Sequence, residues 1–229
     1  VVVAAAVIPA GRRAPPPATR LETDPLDSTQ VTSIGLTATG RPTMPAPLIY
    51  ANTASLDGYI AGPDGRWEWG FPDDQVHRFF NDLMAPVRTY LYGRKVHEVM
   101  TFWDDADLDE MPETERQWAV DYRATQKIVY SRTLTAVSGP NTTLRSTFDA
   151  DEVRALKQAS DTPIGIGGGH LASEAARAGV LDEVHMVVAP AVVGGGTRFL
   201  DEGLDLRLTL RTSRQFASGF VHLGYDVVR

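Results

Sequence analysis

Three times in this chain a short apolar run stops at a small residue, and a helical pattern or a basic group follows. Thr89-Tyr90-Leu91-Tyr92 leads into Gly93-Arg94-Lys95, Lys127-Ile128-Val129-Tyr130 into Ser131-Arg132, and Ile164-Gly165-Ile166 into Gly167-Gly168-Gly169-His170-Leu171. Apolar runs of this length, closed by turn residues, are the pattern of strands buried on both faces. Such strands alternating with helical periods build a mostly parallel sheet with helices on both of its faces. The expected class is therefore α/β.

The rest of the chain fits that frame. Leu48 to Ala51 opens the ordered part as a strand and runs into the turn residues Asp57-Gly58 and Gly62-Pro63-Asp64-Gly65. Val76, Phe79, Phe80, Leu83, Met84 and Val87 recur at helical spacing and predict a helix from about Pro72 to Ala85. Asp104 to Glu115 is acidic and predicts an exposed loop, with a helix from Glu115 to Arg123 behind it. Thr142 to Arg145 is a weak strand, Asp149 to Ser160 an amphipathic helix, and Leu171 to Ala178 a helix that Gly179 ends. Glu183 to Ala189 is a valine-rich strand. Phe199-Leu200, Arg207 to Gln215 and Phe220 to Val228 predict an antiparallel edge, its last two strands joined at Ser218-Gly219. Residues Val1 to Thr43 hold Pro15-Pro16-Pro17 and no sustained period, which predicts a flexible tail outside the fold. Met44 is the expected natural start, and 44–229 the single domain.

Composition narrows the partners. A net charge of −7 disfavours nucleic acid. With no cysteine, disulfides and thiolate metal sites are excluded, and a cytoplasmic protein is the expectation. No apolar run approaches the ~20 residues of a membrane helix, and the five histidines show no ligand spacing. Neither a membrane nor a metal is expected.

The three junctions suit an anion. Glycine lets a phosphate approach the main chain, and a helix start presents unpaired N–H groups and a positive dipole end. Gly165 and Gly167 match the first two positions of G-x-G-x-x-G, but His170 stands at the third. Arg94-Lys95 at a helix start opposes the dipole, which phosphate binding would justify; a solvated surface pair is the alternative. Ser131-Arg132 is either a phosphate grip or a turn start. Trp67 and Trp69 either form a lid over a cleft or cover a core edge. Asp73, on the apolar side of its helix start, is either a cap or a functional acid. Ligands of open α/β sheets sit at the carboxyl ends of strands, so three such ends favour a phosphate-rich ligand.

In order along the chain, Ser55-Leu56-Asp57-Gly58-Tyr59-Ile60-Ala61, Tyr92-Gly93-Arg94-Lys95, Val129-Tyr130-Ser131-Arg132, Gly167-Gly168-Gly169-His170-Leu171 and Pro190 through Gly194-Gly195-Gly196 to Phe199 resemble the dihydrofolate reductase superfamily. The branch they resemble holds the reductase domain of the bifunctional riboflavin-biosynthesis deaminase-reductase. The resemblance spans roughly Pro47 to Arg229 and implies the three-layer fold of that superfamily. It implies an NADPH-dependent reductase acting on a pterin-like, riboflavin-precursor-like or carbonyl substrate. By the same resemblance, Gly167, Gly168 and Gly169, with His170 and Leu171, line the pyrophosphate. Gly93, Arg94, Lys95, Ser131 and Arg132 surround the adenosine phosphates, and Thr53 and Ile60 hold the nicotinamide. Asp57 lies over the nicotinamide and the substrate, with Val193, Gly194 and Thr197 on the substrate side. Three measures give three proton donors. The family's P-x-D spelling gives Asp74, helical phase gives Asp73, and the spacing to Gly93 gives His77. The resemblance also implies a homodimer through the C-terminal strands. A non-catalytic nucleotide-binding module and a phosphosugar isomerase or transferase are the rival readings.

Overall fold

The computed structural model describes residues 44–229; the expectations for Val1 to Thr43 lie outside the described residues. The central layer is an eight-stranded sheet in the order β5-β4-β3-β6-β1-β7-β10-β9. The strands are β1 Leu48–Ser55, β3 Thr89–Gly93, β4 Gln126–Tyr130, β5 Thr142–Arg145, β6 Ile164–Gly167, β7 Glu183–Ala189, β9 Arg207–Gln215 and β10 Val221–Val228. From β5 to β7 every pairing is parallel; β10 runs antiparallel to both β7 and β9. β1 lies between two parallel partners, and all eight of its residues are buried. That is why it contains an apolar run instead of strict alternation.

Alternate residues of the strands feed two cores. Ile49, Ala51, Tyr90 and Tyr92 face α1 Asp74–Met84, α2 Arg94–Asp105 and α3 Glu113–Ala124, where Phe80, Met100, Trp103 and Trp118 complete the layer. Leu48, Tyr50, Leu91 and Ile166 face α4 Ala150–Ala159 and α5 Gly169–Arg177, with Val153, Ala172 and Ala175. The small residues of α5 let it lie close on the sheet beneath the glycine turn.

Several expectations change. The first helix starts at Asp74, because the Asp73 carboxylate accepts the Val76 N–H at 2.8 Å and acts as its N-cap. α5 starts at Gly169, two residues before Leu171. The acidic stretch from Asp104 is not an exposed loop at its start, since α2 continues to Asp105 and the Asp104 side chain is 4% exposed. It pairs at 3.3 Å with Lys127 of β4, whose side chain is fully buried. Phe199-Leu200 is not part of the closing sheet. Thr197–Arg198 forms β8 instead, and pairs with β2, Tyr59–Ala61, as a separate two-stranded ribbon. These strands are too short to leave a period in the sequence.

Two buried histidines give the fold an acid limit. Burial lowers His77 to about 4, with Asp74 opposing in part, and burial, His185 and Arg214 lower His222 to about 4. The unfolded chain takes up these protons near pH 6.5, whereas the fold resists them to about 4. Their contribution is intact above pH 6.5 and is lost as the pH falls towards 4. Thermal unfolding of a chain with His222→Gln should show a flatter decline in Tm across this window than the native chain. An unchanged slope would exclude His222 as a source.

Candidate functional site

β4, β3 and β6 are adjacent and parallel, so their carboxyl ends emerge on one rim. They open onto a single cleft of about 1200 Å³. Two helix starts meet there. α2 begins after Gly93 and α5 after Gly168; neither N-cap carries a side-chain hydrogen bond, and neither first turn holds an acidic residue. α1 and α4 differ, since Asp73 and Asp149 cap them. The first N–H groups of an α-helix have no partner within it, so the pair at the cleft is suited to an anion.

The glycines have distinct jobs. Gly168 has φ of +97°, which the turn requires and other residues rarely adopt. A Cβ on Gly169 would collide with the Arg198 and Phe199 carbonyl oxygens. The glycine turn is thus packed directly on the β8 segment. His170 joins the two, with Nδ1 2.9 Å from Asp201, which also pairs with Arg177.

Of the thirteen residues expected to hold a cofactor, all except Asp57 line this cleft. Gly167, Gly168, Gly169, His170 and Leu171 form one wall, Gly93, Arg94, Lys95, Ser131 and Arg132 the second, and Thr53 and Ile60 the far end with Thr197. Arg94 is tied to Glu98 at 3.1 Å, both partly exposed. Ser131 Oγ accepts the N–H groups of Thr133 and Leu134 at 3.2 and 3.1 Å, so it serves the turn as well as facing the cleft. Trp67 and Trp69 both line the cleft, and Trp69 also packs on the first core.

Asp57, Val193 and Gly194 are placed together but off the cleft wall. The Asp57 carboxylate accepts Val193 N–H at 3.2 Å and Gly194 N–H at 2.7 Å and so fixes the second glycine loop. Hydrogen bonding, first from Ser55 and then from these amides, holds Asp57 below the usual carboxylate range. Asp73, Asp74 and His77 do not line the cleft either. The 3₁₀ turn Glu68–Gly70 forms that wall, with Gly70 against Thr53. Asp73 is occupied as a cap, and Asp74 by Thr114 and Arg78. His77 is buried and neutral, and its Nε2 lacks a partner.

Sequence reasoning missed Asn52, Tyr130 and the strip Ser146-Thr147-Phe148, all on the cleft. Tyr130 packs edge-on to Phe148, and its enclosed hydroxyl has no partner. Burial, and then Glu152, push that phenol up to about 12. Trp67 Nε1 and Trp69 Nε1 are likewise enclosed without partners. Leaving such a donor unmet costs about 1–3 kcal/mol.

Comparison with known proteins identifies the family and the fold. The RibD C-terminal domain profile matches residues 46–222. The chain belongs to that family. A member-like relative is the uncharacterized protein YyaP of Bacillus subtilis (strain 168), 29% identical over 174 residues, covering 75% of this chain and 89% of that one. Among solved structures, a candidate riboflavin biosynthesis protein of Shewanella sp. PV-4 has a TM-score of 0.64 at 22% identity, over 80% of this chain and 99% of its own. Dihydrofolate reductase from Enterococcus faecalis, solved with NADP(H) and RAB-propyl, has a TM-score of 0.52 at 14% identity, over 80% and 97%. The RibD C-terminal domain fold is thus the dihydrofolate-reductase-like one, here with β9 as an open sheet edge. No helix among the described residues is long and apolar enough to cross a membrane.

Proposed function

We propose that this chain is an NADPH-dependent reductase, passing hydride to a small heterocyclic or carbonyl substrate. One observation carries the reading. Two helix starts without capping side chains and a basic strand end converge on one cleft, whose lining includes both Arg132 and Thr53. The residues fit the cofactor. The α5 start and Gly168 would take the pyrophosphate, Arg94, Lys95 and Arg132 the adenosine phosphates, and the Thr53–Ile60 end the nicotinamide. NADPH supplies the hydride when bound; the protein supplies position and a dry, polarised site. Asp57 acts at a distance in this reading, by holding the Val193-Gly194 loop. Among the described residues the acids and imidazole that line the cleft are Glu98 of α2 and His170 and Glu174 of α5, so in this reading the proton at the Thr53–Ile60 end comes from solvent.

Titration with NADPH, followed by a panel of pterins, pyrimidine intermediates and carbonyl compounds monitored by loss of nicotinamide absorbance, tests this. A chain that binds no NADPH sinks it. Binding without turnover of any substrate favours the non-catalytic module, which the distance of Asp73, Asp74 and His77 from the cleft also favours. Arg132→Ala should weaken NADPH about thirtyfold, as expected for a lost charge-assisted bond, and NADH less than about threefold. Equal losses would remove Arg132 from the 2′-phosphate.

A homodimer through β9 belongs to the same reading. All nine residues of this edge strand are exposed, including Leu208 and Leu210, and Val228 of β10 is exposed beside them. An open edge with apolar side chains invites pairing. Light scattering should give twice the chain mass, and Leu210→Lys should restore the monomer. A native monomer at micromolar concentration would refute the dimer.

A further inference from the structure

The two ends of the cleft differ in chemistry. Its lysine and arginines, Arg94, Lys95 and Arg132, all follow β3 and β4. The sheet order puts β1 two strand spacings from β3 and three from β4, about 10 and 14 Å at the usual separation of strands. Those cations therefore stand away from Thr53, beyond the ~8 Å over which a solvated charge is felt in physiological salt. The arginines nearest the Thr53–Ile60 end along the chain are Arg66 and Arg198, and neither lines the cleft. Arg66 pairs with Glu68 at 3.3 Å. Arg198 pairs with Glu202 at 2.7 Å and lies 5.0 Å from the centre of the Tyr59 ring. From Ser55 to Gly70 the chain holds three carboxylates, Asp57, Asp64 and Glu68, against one guanidinium. An anion approaching this end meets net negative charge.

What the end offers instead is indole carbon. Trp67 and Trp69 line the cleft and are only partly buried, yet both Nε1 atoms are enclosed. The open parts of the two side chains are therefore apolar ring. The turn that carries them is fixed in place. A Cβ on Gly70 would come within 3.2 Å of the Thr53 methyl, so the Glu68–Gly70 turn sits directly on β1. Ile60, Ala61 and Gly65 complete this end and add no charge.

We propose that the substrate of this cleft is a flat heterocycle without a phosphate or other anionic group, seated against the rings of Trp67 and Trp69. The proposal rests on the NADPH reading above and narrows its substrate class. A flat ring gains from contact with an aromatic surface beyond the area that it buries. A phosphate at the same place loses hydration and meets no lysine or arginine among the described residues of that end. Nucleotide-like substrates are thereby disfavoured against the same rings unphosphorylated.

The test uses the chain saturated with NADP⁺, so that the cofactor end is filled and no turnover occurs. Two matched pairs are titrated by calorimetry: riboflavin against riboflavin 5′-phosphate, and uridine against uridine 5′-monophosphate. The phosphate-free member of each pair should bind about tenfold more tightly. Trp67→Ala should weaken riboflavin about tenfold and leave adenosine 2′-monophosphate, titrated without NADP⁺, unchanged. Thr197→Lys places a cation at an exposed position on the same wall, and should bring riboflavin 5′-phosphate to within about threefold of riboflavin. Equal or tighter binding of the phosphorylated members by the native chain overturns the proposal while the NADPH reading stands. So does a failure of both riboflavin and uridine to bind at millimolar concentration, or a Trp67→Ala chain with native affinity for riboflavin. A native chain that binds neither NADP⁺ nor NADPH overturns both readings.

Discussion

Gly169→Ala is expected to weaken NADPH about a hundredfold while leaving the chain folded. The added Cβ would meet the carbonyl oxygens of Arg198 and Phe199, so backbone rather than a flexible side chain stands in its way. That backbone has little freedom to yield. Arg198 pairs with Tyr59 in the β2–β8 ribbon, Phe199 N–H bonds Gly58 O at 2.9 Å, and Tyr50 holds Phe199 O from below. The first turn of α5 must therefore move, and with it the N–H groups aimed at the cleft. Oriented donors lose most of their value when displaced by about 1 Å, and a hundredfold corresponds to about 2.7 kcal/mol. Adenosine 2′-monophosphate, bound near Arg132 on the other wall, should be affected less than about threefold. Calorimetric titration of both ligands checks this. Native-like NADPH affinity in Gly169→Ala would remove the α5 start from the cofactor site.

The same glycine turn was the most legible part of the chain. Ile164 to Leu171 has to be strand, turn and helix, because an apolar run meets three glycines and then a small-residue helical period. β3 and β4 could be read for the same reason, and their parallel neighbourhood follows from alternation with helices. Twelve of the cofactor-side residues then fall on one cleft because the ends of parallel strands share a rim. What could not be read depends on contacts distant in sequence. The β2–β8 ribbon joins residues more than a hundred positions apart through strands of three and two residues. Asp57 looks like a residue of the ring site until its bonds to Val193 and Gly194 are seen. Asn52 left a signal, a lone amide on the period of a buried strand, but it is visible only if the strand is carried past Ala51 to Ser55.

Asp104 shows the opposite failure, a charge that the sequence places in water and the fold places in the core. Asp104→Ala should destabilise the protein by about 3–5 kcal/mol, the usual effect of stranding one partner of a buried pair. The stranded partner is Lys127, which also bonds Pro140 O at 3.1 Å and lies 4.4 Å from the centre of the Tyr122 ring. Burial lowers the Lys127 amine and raises the Asp104 carboxyl, and each charge offsets part of the other's desolvation. At about 2–4 °C per kcal/mol for a domain of this size, Tm should drop by about 10 °C. Replacing both residues with apolar ones of similar volume, Asp104→Leu with Lys127→Met, should recover most of the loss. The pair would then serve to align the end of α2 with β4 and the Pro140 turn instead of supplying net stability. If the double variant melts as low as Asp104→Ala, the pair itself is stabilising. If Asp104→Ala alone melts like the native chain, Lys127 finds another partner and the ion pair carries no weight in the fold.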